Sequence, residues 1–150
     1  MRPLAAVSIL VVVVGGSGCG GGDESKTTTE TARLLSLNPV VRCLRSSIKH
    51  ARVTTAQADL DQIARRAGRG AARVRFGVSR KIPRGLNVAT VVLERSAGDA
   101  KTTESRYRSV YRALGGSPAG VLLRSGNAVV AFGARPLPPE RAAVSRCLRP

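Results

Sequence analysis

The chain has no tryptophan, two tyrosines and two phenylalanines, so rings make up 3% of its 150 residues. A surface that stacks single-stranded bases needs more of them, and needs them exposed. Tyr107 and Tyr111 fall on the apolar stripe of a helical pattern, which places them in the core with hydroxyls reaching its edge. The core must therefore be built of Val, Leu, Ile and Ala. With a single histidine, His50, and the three cysteines otherwise accounted for, no tetrahedral metal set can be assembled, and no metal or cofactor is expected. The nine acidic residues are too few and too scattered for paired-carboxylate chemistry. Asp59 and Asp61, two apart, would diverge by about 200° on a helix. There is no G-x-S-x-G elbow and no G-x-x-x-x-G-K-[ST] loop. No enzyme is expected, the standing alternative being one whose site arises only from tertiary proximity. Long apolar runs are also missing. Leu4 to Val14 spans about 11 residues, well short of the roughly 20 that cross a bilayer.

That short run is nevertheless informative. Met1-Arg2 precedes it, and Gly15-Gly16-Ser17-Gly18-Cys19 follows it. A basic start, an apolar segment of this length, small residues and then cysteine resemble the export signal of a bacterial lipoprotein precursor. The resemblance implies removal of residues 1–18, lipidation of Cys19, and a place on the extracytoplasmic face of the cell membrane. Gly16 stands where such signals usually carry Leu, which leaves ordinary signal cleavage near Gly18 as the alternative. Gly16-Ser17-Gly18-Cys19-Gly20-Gly21 also fits the G-x-G-x-x-G of a dinucleotide-binding turn. That turn must open a helix to hold a pyrophosphate. Gly22-Asp23-Glu24-Ser25-Lys26 follows instead, polar and aperiodic, and the nucleotide reading is rejected. Residues 19–35 read as a flexible tether, about 15 residues of which span roughly 20 Å as a coil. With Cys19 lipidated, Cys43 and Cys147 remain as a pair, and an oxidising compartment favours their disulfide over two buried thiols.

Residues 36–150 read as a single α+β domain. Asn38 and Pro39 suit the start of a helix whose face is Val40, Val41, Leu44 and Ile48, with Cys43 at its edge and His50 near its C-terminus. A short strand at Ala51 to Thr54 precedes a helix signalled by Thr54-Thr55-Ala56-Gln57 and by apolar residues from Ala56 to Ala67. Arg73 to Val78 alternates as a half-buried strand, and Val88 to Leu93 is apolar on both sides, as a central strand should be. Ser96 to Asp99 caps an amphipathic helix that ends at Gly115-Gly116. A hairpin through Ser125-Gly126-Asn127 and a last helix from about Pro139 to Leu148 complete the domain. The order α, β-α-β-β-α-β-β, α suggests a small two-layer domain. Its core would be a ferredoxin-like split β-α-β unit with an added strand. The terminal helices would lie together under the Cys43–Cys147 bond, which requires Cα atoms within about 7 Å.

Charge is the remaining signal. The formal net charge is +16. No acid stands between Asp61 and Glu94, whereas Arg65, Arg66, Arg69, Arg73, Arg75, Arg80, Lys81 and Arg84 all do. The functional expectation is a non-enzymatic, membrane-anchored envelope lipoprotein. The basic stretch would bind anionic lipids or envelope polymers. Were the N-terminal signal unused, a nucleic-acid-binding basic protein would be the alternative; a solvated basic face is the bland one.

Overall fold

The computed structural model describes residues 34–83 and 85–149; Cys19, Arg84 and the proposed signal and tether up to residue 33 lie outside them. Five strands form one sheet: β1 (Arg52–Thr54), β2 (Gly70–Arg75), β3 (Val88–Leu93), β4 (Leu122–Ser125) and β5 (Ala128–Phe132). Their order is β1-β2-β3-β5-β4, and every neighbouring pair is antiparallel. Three helices join them: α1 (Leu37–Ser47), α2 (Ala97–Ala113) and α3 (Pro138–Cys147). The α+β class and the joined terminal helices are thus as expected. Cys43 of α1 is bonded to Cys147 of α3, with Cα atoms 5.5 Å apart. The ferredoxin-like split is not observed, because β1, β2 and β3 form a plain antiparallel meander.

Side-chain alternation divides the sheet into two faces. One carries Val53, Ala72, Val74, Val91, Leu93, Val130 and Phe132, following the strand registers. Against it lie α1, through Val40, Val41 and Leu44, and α3, through Ala143, Val144 and Cys147, all buried. Gly70 lets α1 approach: its φ is +107°, and a Cβ there would stand 2.9 Å from Leu37 Cδ2. Both phenylalanines of the chain meet on this face, Phe76 and Phe132, with ring centroids 6.4 Å apart. The other face carries Arg73, Arg75, Val88, Thr90, Val92, Val129, Ala131 and Leu122. Helix α2 covers its β4–β5 half. Two layers therefore describe α1 and α3 on the sheet, and α2 adds a third on the opposite side.

Three elements differ from their sequence expectations. The 54–67 segment is not a helix but two single 3₁₀ turns, Gln57–Asp59 and Ala64–Arg66. Thr54 Oγ1 does not cap a helix; it accepts the Ala56 N–H and donates to Asp59 Oδ2. Asp61 Oδ1 accepts the Ala64 N–H and opens the second turn. Short polar side chains compete in this way with the helical backbone ladder. Leu60 and Ala64 are nonetheless buried, whereas Ala56 is exposed, so the segment keeps part of its apolar face without the helical backbone. Strand β2 begins at Gly70 and ends at Arg75, three residues before the expected span, and leaves Val78 82% exposed. Gly70-Ala71-Ala72 are poor strand formers, held extended by pairing with Val91, Val92 and Leu93. Helix α1 starts at Leu37 with Ser36 as its N-cap, placing Asn38 and Pro39 inside the first turn. His50 lies beyond the helix, in a left-handed turn with φ +62°.

Candidate functional site

The basic residues between Asp61 and Glu94 do not form one uniform surface. Three of them turn inward on the 58–61 segment. Arg65 donates from Nε to Leu60 O (2.9 Å) and from Nη2 to Ala58 O (3.5 Å). Arg73, half-buried, donates from Nη1 to Asp59 O at 2.9 Å, while its Nε is enclosed with no partner among the described residues. Arg75 pairs with Asp59 at 3.4 Å. Arg66 belongs elsewhere: with Arg95 and Arg106 it borders a polar cavity of about 280 Å³. There Glu94, buried, accepts the Gly68 N–H on Oε2 and the Thr103 hydroxyl on Oε1. Arg69, Arg80 and Lys81 are exposed. Sequence reasoning missed Arg52, which faces Arg75 directly across the β1–β2 ladder, and missed Arg95 and Arg106. Strand pairing and the docking of α2 bring them in, and neither leaves a local trace.

The later turns of α2 border a larger, apolar cleft of about 470 Å³. Its floor is Val88 and Thr90 of β3 and Ala131 of β5; Val110 and Leu114 of α2 form one wall, and Ile63 and Leu86 the other. Gly133 makes the close approach at its end possible, since a Cβ there would stand 2.7 Å from Leu86 O. Both tyrosines line this cleft. The Tyr107 hydroxyl is 3.0 and 2.9 Å from the two oxygens of Asp61, tying α2 to the 3₁₀ segment. The Tyr111 hydroxyl donates to Phe132 O. Burial, and then the Asp61 carboxylate, push the Tyr107 hydroxyl well above the usual phenol range; the same causes raise Tyr111. Neither hydroxyl is thereby prepared to act as a base at neutral pH.

Asp59 and Asp61 keep separate partners, although the segment is not the helix expected: Thr54 and Arg75 for the first, Tyr107 and the Ala64 N–H for the second. Among the described residues no group of three or more His, Cys, Asp or Glu is placed to hold a metal, and no helix is long and apolar enough to cross a membrane. No protein-family model, curated protein or solved structure matches the chain.

Proposed function

We propose that this protein is an extracytoplasmic, lipid-anchored binding module without catalytic activity, and that its basic surface engages anionic lipids or envelope polymers. The observation that carries the reading is the excess of cations over counter-ions. At a formal charge of +16, the ion pairs among the described residues use only Asp59 and Glu104, and only Arg75, Arg108 and Arg124. Exposed arginines elsewhere, Arg66, Arg69 and Arg80 among them, keep their full field for a polyanion. The Cys43–Cys147 disulfide supports the compartment, since such bonds persist where the surroundings are oxidising. The tether from Cys19 would hold the basic surface near the headgroups, where each cation contributes about 1 kcal/mol.

The test has two parts. Intact-mass measurement of membrane-fraction protein should show loss of residues 1–18 and a lipid increment on Cys19; a soluble, unmodified chain beginning at Met1 would sink the anchor. Replacing Arg66, Arg69, Arg80 and Lys81 by Gln should weaken sedimentation with anionic vesicles by about tenfold or more and flatten its salt dependence. Unchanged binding would reduce the surface to a solvated one.

A further inference from the structure

Among the described residues, five large apolar side chains are exposed, and three of them stand around one opening: Leu114 at 80%, Leu86 at 48% and Val110 at 44%. Scattered singly they would need no explanation; gathered on one rim they mark a recognition site. The cleft they surround, about 470 Å³, falls within the roughly 300–1,000 Å³ usual for small-molecule pockets. Its charge is not evenly spread. Arg73 lines one end. The strand register continues from there onto further cations on the same sheet face, because Arg73 is opposite Thr90, Arg75 is opposite Val88, and Arg52 is opposite Arg75. One acid, Asp61, also lines the cleft, and Asp59 lies beside Arg73. Asp61 receives the Tyr107 hydroxyl and the Ala64 N–H, and Asp59 receives Arg75 and Thr54. An apolar slot with one guanidinium, that of Arg73, in its lining complements a molecule with an apolar tail and an anionic head.

We propose that this cleft binds a free long-chain carboxylate. The alkyl tail lies between the Val110–Leu114 wall and the Val88 and Leu86 side, excluding water from both. The carboxylate meets Arg73 at the basic end, where a guanidinium and a carboxylate match in geometry as well as charge. The proposal goes beyond the anchor and the exposed basic surface and depends on neither.

The chain carries its own reporter. It has no tryptophan, and its two tyrosines both line the cleft, so intrinsic tyrosine fluorescence reads occupancy there. Titration of the full, disulfide-bonded chain with dodecanoate, below its micelle concentration, should give a saturable change at one equivalent. Dodecanol, with the same tail and no charge, should bind about tenfold more weakly, the scale of one lost charge-assisted hydrogen bond. V110E places a charge on an exposed part of the apolar wall and should weaken both ligands by about tenfold or more. R73Q should weaken dodecanoate and leave dodecanol unchanged; should that half-buried site fail to fold, V110E and the alcohol comparison still decide. Equal binding of acid and alcohol, or wild-type binding by V110E, would overturn the proposal. So would a tyrosine signal that follows protein concentration without ligand, which would mean that a second copy fills the cleft.

Discussion

Asn127 occupies a two-residue hairpin turn, a position that ordinarily asks only for a small polar side chain. Here it is 1% exposed and holds three backbone groups at once. Its Oδ1 accepts the Leu35 N–H at 2.8 Å, and its Nδ2 donates to Leu35 O at 3.1 Å and to Glu94 O at 2.8 Å. One side chain thus fastens the segment entering α1 to the ends of β3 and β5. Replacing it with Ala leaves these groups without their partner in a place water reaches poorly. Asn127→Ala should cost about 3 kcal/mol in urea unfolding, with the lost protection in hydrogen exchange concentrated at Leu35. The turn was legible from Ser125-Gly126-Asn127. The clamp was not, because its partner is 92 residues away.

At the scale of elements, α2 follows its local signals through its first turns and departs from them in its last. Ser96 caps it by accepting the Asp99 N–H at 3.0 Å, and the apolar stripe is buried through Ala100, Thr103 and Tyr107 but exposed at Val110 and Leu114. Helix α2 is also pinned to the sheet by charge: Glu104 accepts from Arg108 one turn on and from Arg124 of β4 at 2.8 Å. The Arg108 hydrogen bond, and then Arg124, hold its carboxyl below the usual range against the opposing effect of partial burial. A pKa lower in the folded chain stabilises at pH values above the unfolded value, about 4.3, and that contribution disappears as pH falls through the folded value. Because the two arginine side chains are 46% and 41% exposed, the effect is modest, about 1 kcal/mol. Wild type should exceed Glu104→Gln by that amount at pH 7, and the two should converge at pH 3 in urea titrations. The 54–67 segment shows the opposite case. Its apolar spacing is helical, but Asp59 and Asp61 bond elsewhere, to Arg75 and Tyr107, and the backbone follows them. The signal was present in the acids; their partners were not.

For the whole molecule, the disulfide matters more than any single contact. It joins residues 104 apart, spanning nearly the whole described domain. Closing a loop of that length removes about 4–5 kcal/mol of chain entropy from the unfolded state. Cys147→Ser should lower unfolding stability by about that amount, and dithiothreitol should have the same effect on wild type and none on the variant. A small core that lacks large rings is correspondingly dependent on the bond. The two phenylalanines meet on one face of the sheet and the two tyrosines gather over the other, so the few rings present each mark one layer.

The sequence by itself determined the inner faces of α1 and β3, where β3 and α2 run, and that the terminal cysteines could pair. These follow from local period, from capping residues and from a count of cysteines. Only the tertiary structure decided that β1, β2 and β3 form a meander, that α2 covers the face opposite α1 and α3, and that the basic stretch divides between two sites. It alone decided that Arg73, both tyrosines, Leu86 and Leu114 border one cleft. The physical reason is the same in each instance: strand pairing and layer choice are contacts between segments tens of residues apart, and a local pattern records the period of a segment without naming its partner.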